Sequence, residues 1–140
     1  MLRQHPAELL VPTRGRGFYD LTGELNRIVA ESRMQTGVLT VHLRHTSASL
    51  VIQENADPDV RVDLEAFFQR MVPDGDPLFV HTSEGDDDMS AHIRTALTAV
   101  NLSIPVWHGA LTLGTWQAVY LCEHRTNPHR RSVVVHLMGE

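Results

Sequence analysis

Cysteine is nearly absent: Cys122 stands alone in 140 residues. No intrachain disulfide can form, which suits a reducing cytosol and predicts a cytoplasmic protein. Cys122 lies in the apolar stretch WQAVYLCE and reads as a small buried hydrophobe. Long apolar runs are missing too. No stretch reaches the roughly 18 apolar residues that a membrane span needs, and MLRQHPAELLVPTRGRG lacks the apolar core of a signal peptide. There is no surplus of positive charge. The formal net charge of -5 argues against a nucleic-acid binder with a broad basic surface. Repeats, low-complexity tracts and linkers do not stand out. Common catalytic signatures are also lacking: no Walker A loop, no H-E-x-x-H, no G-x-S-x-G and no G-x-G-x-x-G.

What is present is an ordinary globular composition, with 42% hydrophobic and 21% charged residues. The length fits one domain over residues 1–140, large enough to bury a real core. Nine histidines are many for this length and invite metal or acid–base chemistry.

Hydrophobic patterning supplies the elements. Residues 7–12 read as a first strand and TRGRG as a turn. YDLTGELNRIVAESRMQTG reads as a helix, with Leu25, Ile28 and Val29 at helical spacing, Thr22 or Asp20 as N-cap, and Gly37 closing it. VLTVHLRH alternates, so Leu39, Val41, Leu43 and His45 share one face. SLVIQE is a second strand candidate. DPDVRVDLEAFFQRMVP predicts a helix capped by Asp57, with Pro58 first and a core stripe of Val60, Leu64, Phe67, Phe68 and Met71. PLFVH predicts a short strand, and Asp88 could cap a helix through MSAHIRTALTAV. IPVWHG, LGTWQAVYLCE and RSVVVHLMG complete a strand-rich C-terminal half. Strands and helices in unequal runs favour an α+β fold, a mostly antiparallel β-sheet with helices packed on it.

Four constellations could carry chemistry. His45 ends an apolar strand face beside Thr46, Ser47 and Ser49. It could bind a metal or move a proton, with the hydroxyls on phosphate oxygens; a backbone-bonded histidine beside a hydroxyl-rich turn is the plainer reading. HTSEGDDDMSAHIR places His81, Glu84 and Asp88 ahead of His92, and His92 follows Asp88 by four residues on one helical face. Histidine and carboxylate suit zinc or another divalent ion, although acids entering a helix also satisfy its dipole. Gln117 and Glu123 end one face of LGTWQAVYLCE and could line a polar pocket; a wet edge strand is the alternative. Arg125, Arg130 and Arg131 cluster in HRTNPHRRS, where guanidinium groups could hold phosphate or a solvated turn could suffice.

HTSASLVIQENADPDVRVDLEAFF, EGDDDMSAHI, LGTWQAVYLCEHR and the ending MGE together resemble the YjbQ family, from about Gly17 to Glu140. The resemblance implies a small α+β domain assembling as a homotrimer. It implies a secondary thiamine-phosphate synthase activity, joining hydroxymethylpyrimidine diphosphate to a thiazole phosphate with release of pyrophosphate. The matching positions are His45, Ser47, Asn55, His81, Glu84, Asp88, His92, Thr115, Trp116, Gln117 and Glu123. Some relatives carry a further histidine at the position of Ser90, which bears on any metal site built with it.

On this basis His45, His81 and His92 are the expected metal ligands, and His45, Glu84, Asp88 and His92 the expected catalytic set. Ser47, Asn55, Trp116, Gln117, Glu123, Arg125, Arg130 and Arg131 are expected to meet a phosphorylated small-molecule substrate. The expected cofactor is a divalent ion, zinc or magnesium, with no organic cofactor, no nucleic acid and no membrane partner. A non-catalytic trimeric metal- or small-anion-binding module and a metal-dependent hydrolase of a phosphorylated metabolite are the alternatives.

Overall fold

The computed structural model describes residues Met1–Glu140. Its elements run β1 (Arg3–Pro12), β2 (Gly17–Asp20), α1 (Thr22–Ser32), β3 (Gly37–Leu43), β4 (Ala48–Glu54), α2 (Pro58–Met71), α3 (Asp86–Leu97), β5 (Asn101–Trp107), β6 (Ala110–Leu111), β7 (Gln117–Glu123) and β8 (Arg130–Gly139). They form a five-stranded sheet, β1-β8-β3-β5-β6, and a three-stranded sheet, β2-β7-β4. Every pairing is antiparallel, so the fold is α+β as the patterning predicts.

Strand alternation decides which sheet faces meet. Leu39, Val41 and Leu43 of β3 lie inward beside Val133, Val135 and Leu137 of β8, all at most 2% exposed. Ala48 and Leu50 of β4, Val119 and Leu121 of β7, and Leu25, Ile28 and Val29 of α1 join them in one cluster. Each of these Leu, Ile and Val side chains stabilises the fold by roughly 1.5–3 kcal/mol when fully buried. Only glycine fits where the start of β3 meets the end of β8. A Cβ on Gly37 would lie 2.3 Å from the Met138 carbonyl oxygen, and one on Gly139 would lie 2.1 Å from that of Thr36.

Several elements differ from the patterning. The first strand is longer than residues 7–12, beginning at Arg3 because ten residues pair with β8. Phe18 to Asp20 pair with β7, so the first helix starts only at Thr22. Asp20 Oδ1 accepts the Thr22 N–H at 2.8 Å, while the Thr22 hydroxyl accepts the Val119 N–H. Arg33, left-handed at φ 58°, closes that helix, and Gly37 opens β3 instead. Asp57 does cap α2, accepting the Asp59 N–H at 2.9 Å, with Pro58 following. The expected core stripe of α2 is not core: no residue of that helix is buried, and Phe67 and Met71 are 47% and 54% exposed. The sheets and α1 already fill the interior. α2 stands against β2 across a groove of about 550 Å³.

PLFVH forms no strand. Asp76 takes the Leu78 N–H on Oδ1 and the Phe79 N–H on its carbonyl, a side-chain-driven turn that replaces strand pairing. Leu78 and Val80 are 86% and 96% exposed. β7 begins at Gln117, so Thr115 and Trp116 precede it. It is the central strand of its sheet and not a wet edge. No helix is long and apolar enough to cross a membrane.

Candidate metal centre

α3 opens with Asp86, Asp87 and Asp88, but Asp88 is not its cap. Gly85 at φ 104° occupies that position, without a side-chain cap. The Asp88 carboxylate turns instead toward two imidazoles. Its Oδ2 lies 2.7 Å from His81 Nε2 and 3.2 Å from His92 Nε2. His92 sits one helical turn beyond Asp88, so the shared face follows from spacing. His81 comes from the irregular segment before α3. One ligand atom from each residue falls within 4.8 Å of the other two.

The proton inventory shows what this arrangement suits. His92 Nδ1 lies 2.8 Å from the Thr46 carbonyl oxygen. A carbonyl only accepts, so Nδ1 carries the proton. In the neutral ring, Nε2 then points a lone pair at a carboxylate oxygen. A second proton on His92 relieves that opposition, and so does a cation shared by both atoms. An imidazole held by a backbone carbonyl with its other nitrogen free is the usual arrangement of a metal ligand. Burial pushes the Asp88 carboxyl up, but the His81 hydrogen bond and the charges of His92 and Arg125 outweigh it and leave it below the ordinary carboxylate range. Asp88 is thus ionised at neutral pH. The residues present fit a divalent ion.

Arg125 braces the other side. It donates from Nη1 to Asp88 Oδ1 at 2.8 Å, from Nε to Asp87 Oδ2 at 3.0 Å and from Nη2 to the Glu84 carbonyl at 2.9 Å. Asp87 also accepts from the backbone and hydroxyl of Thr126. Its own burial opposes ionisation, yet these bonds bring its pKa down to about 2. Ser90 donates to Asp74, which Arg16 grips with two donors at 2.9 and 3.0 Å. Ser90 therefore belongs to an ion-pair network and not to the ligand cluster.

The other expected site residues are dispersed. His45 lies outside the cluster: its Nε2 accepts the Ser132 N–H at 2.8 Å. Burial and the nearby Arg131 charge hold its pKa below the usual histidine value, so it is neutral. Asp88, not His45, completes the set with His81 and His92, although Thr46 beside His45 orients His92. Ser47, Glu123 and Arg131 form a second, buried polar centre. Glu123, 1% exposed, accepts from Thr13 Oγ1 at 2.6 Å and from Arg131 Nε at 2.8 Å, and Arg131 Nη2 reaches Ser47 Oγ at 3.0 Å. Asn55, Trp116 and Gln117 are exposed and gather at the far end of the β4–β7 pair, where the Asn55 N–H donates to the Trp116 carbonyl. Gln117 Oε1 folds back onto the Gly114 N–H. The six residue steps from Gln117 to Glu123 span roughly 20 Å, so within one chain these two do not line a common pocket. Glu84 offers its carbonyl, with its side chain outside the cluster, and Arg130 is exposed on β8.

Patterning missed Asp74, Arg16 and Arg94, and it did not pair Ser49 with His124, whose buried Oγ and Nε2 lie 2.8 Å apart. The one available signal was two adjacent polar residues, Glu123 and His124, ending an otherwise apolar strand.

The chain matches the family described as UPF0047 protein YjbQ-like over residues 7–140. A UPF0047 protein of Synechocystis is 50% identical over 138 residues, covering 99% of this chain and 94% of its own length. The UPF0047 protein YjbQ of Escherichia coli O157:H7 is 42% identical over 94% of this chain and 96% of its own. A solved structure from Thermus thermophilus superimposes with a TM-score of 0.82 at 34% identity, covering 92% of this chain and 97% of that one. A YbjQ-like protein of Sulfolobus solfataricus gives 0.90 at 22% identity over the whole of both chains, which shows the shared fold. With the motifs matched across nearly its whole length, the chain belongs to the UPF0047 (YjbQ-like) family.

Proposed function

We propose that the protein is a divalent-metal-dependent enzyme acting on a diphosphate-bearing small molecule. Its reaction is of the secondary thiamine-phosphate synthase type, joining hydroxymethylpyrimidine diphosphate to a thiazole phosphate with release of pyrophosphate. The observation that carries this reading is the convergence of His81, Asp88 and His92, with His92 oriented by the Thr46 carbonyl. Two imidazoles and one carboxylate match zinc better than magnesium, which prefers oxygen ligands. Three protein ligands leave a coordination position for substrate, the pattern of catalytic sites. His81 and His92 side chains are 43% and 31% exposed, so the open side is reachable. A bound ion would supply charge neutralisation at a leaving diphosphate. In this reading Asp88 holds the ligand set, Arg125 holds Asp88, and the Thr46 carbonyl keeps the His92 proton on Nδ1.

A homotrimer belongs to the same proposal. The uncovered Val62, Phe67 and Met71 of α2, with Leu78 and Val80 nearby in sequence, are apolar surface that assembly would cover.

One observation favours a second reading, a non-catalytic metal- or small-anion-binding module. Arg125 and Arg131 already hold Asp87, Asp88 and Glu123 and keep few donors for a phosphate. Turnover separates the two. Purified protein is assayed with both thiamine precursors, before and after chelation and with zinc or magnesium restored, and its mass in solution is taken by light scattering. Activity lost on chelation and regained with zinc is expected. His92→Ala and Asp88→Asn should then lose about 100-fold or more, the scale of a missing charge-stabilising group. Turnover unchanged in metal-free protein would refute the metal dependence. Zinc bound without turnover would favour the module, and cleavage of either precursor without joining would favour a hydrolase.

A further inference from the structure

We propose that Arg125 is a positioning residue, fixing Asp88 as a one-oxygen ligand, and that Asp87 is the anchor that holds Arg125 in place. The inference rests on the metal-centre reading above and deepens it.

The geometry is specific. A carboxylate has two chemically equivalent oxygens and can flip or chelate through both. Here they are made different. Asp88 Oδ1 accepts from Arg125 Nη1 at 2.8 Å, leaving Oδ2 alone to face His81 and His92. Arg125 cannot easily swing away, because its other nitrogens are engaged by Asp87 Oδ2 and the Glu84 carbonyl. The side chains of Arg125 and Asp87 are each 14% exposed and that of Asp88 is 6% exposed, so water competes weakly for these bonds. Asp87 is fixed in turn by Thr126, the residue after Arg125. The Arg125 backbone N–H donates to Glu123 Oε2 at 3.2 Å. The exit of β7 is thereby tied to the first turn of α3, and the ligand carboxylate sits at the tie.

Selectivity follows from this. A carboxylate limited to one oxygen suits a small ion with few ligands, such as zinc. It disfavours calcium, which takes six to eight oxygens and often a bidentate carboxylate. An arginine fork can hold two acids and a carbonyl at once, and a lysine ammonium cannot reproduce that planar geometry.

Cobalt(II) added to the full chain tests the idea, because its visible absorption reports the ligand set. Wild-type protein should give a saturable band that His92→Ala abolishes. Arg125→Met should keep its far-UV circular dichroism but bind cobalt about 10- to 100-fold more weakly, the range typical for lost supporting contacts to a ligand, and with a shifted band. Arg125→Lys should fall between. Asp87→Asn, which keeps both Asp88 and Arg125, should weaken binding in the same direction by less. A merely structural role would lower the melting temperature and leave affinity and spectrum of the folded protein unchanged. Unchanged affinity and band in folded Arg125→Met and Asp87→Asn would overturn the positioning role while the metal reading stood. If Arg125→Met does not fold, Asp87→Asn decides by the same two readings. No histidine-dependent band in wild type would overturn the metal reading and this inference with it.

Discussion

His124 should make the protein sensitive to mild acid. It follows Glu123 at the end of β7, is 3% exposed, and shares a hydrogen bond with Ser49. Burial, then the charges of Arg94, Arg16 and Arg131, outweigh the opposing pull of Glu123 and bring its pKa down to about 4. An unfolded histidine titrates near 6.5. Between those values the unfolded chain carries a proton that the folded chain refuses, so stability falls as pH falls through this window. The contribution is complete above about pH 6.5 and gone below about pH 4. At roughly 1.4 kcal/mol per unit, the full span is about 3 kcal/mol, a large share of the 5–15 kcal/mol typical of a domain. The assay is urea unfolding from pH 7.5 to 4.5 at one fixed protein concentration, comparing wild type with His124→Gln. Glutamine keeps a polar partner for Ser49 and removes the titration. His45, shifted in the same direction, is common to both proteins and cancels in the comparison. The depressed carboxylates act lower: Asp87 stabilises fully above the ordinary carboxylate range and loses its contribution as pH falls toward about 2. Over pH 7.5 to 4.5 wild-type stability should therefore drop by about 2.5 kcal/mol more than that of the variant. Parallel profiles would refute the reasoning.

Other consequences can be checked directly. Glu123→Gln leaves the Arg131 cation buried without its counter-ion and should cost about 3–5 kcal/mol in chemical unfolding; a loss below about 1 kcal/mol, the scale of an exposed pair, would mean that Ser47 and solvent suffice. Cys122 is buried, and desolvation pushes its thiol up to about 12. It should resist a thiol reagent in native protein and react stoichiometrically once urea unfolds the chain; fast native labelling would contradict its burial.

Much of the fold is legible because its signals are local. The Asp57–Pro58 start of α2 and the alternation of Leu39, Val41 and Leu43 each depend on a few neighbouring residues. Patterning fails where a distant partner decides. Val60, Leu64 and Phe68 have helical spacing, but whether a face is core depends on what else fills the interior, and here β7, β8 and α1 do so. PLFVH has strand composition, yet the preceding Asp76 closes a turn on it. The pairing of Asp88 with His92 is readable from helical geometry, whereas His81 reaches them through an irregular segment with no periodicity. His45 continues the alternation of β3 in sequence, but its use as an acceptor for Ser132 needs a neighbour 87 residues away. The arginines are obscure for the same reason: sequence shows cations, and only folding shows which acids have claimed them.

The position of β8 has a consequence for synthesis. Residues 130–139 lie between β1 and β3, so an interior strand of the larger sheet is made after all its other strands. Until it leaves the ribosome, β1 and β3 lack their shared neighbour and expose unpaired backbone edges. At about 5–20 residues per second, the roughly 120 residues separating β1 from β8 take about 6–24 s to make. The nascent chain thus spends seconds with edges open to other polypeptides. Completion of the larger sheet waits for β8, and delayed translation before Arg130 should favour aggregation over folding.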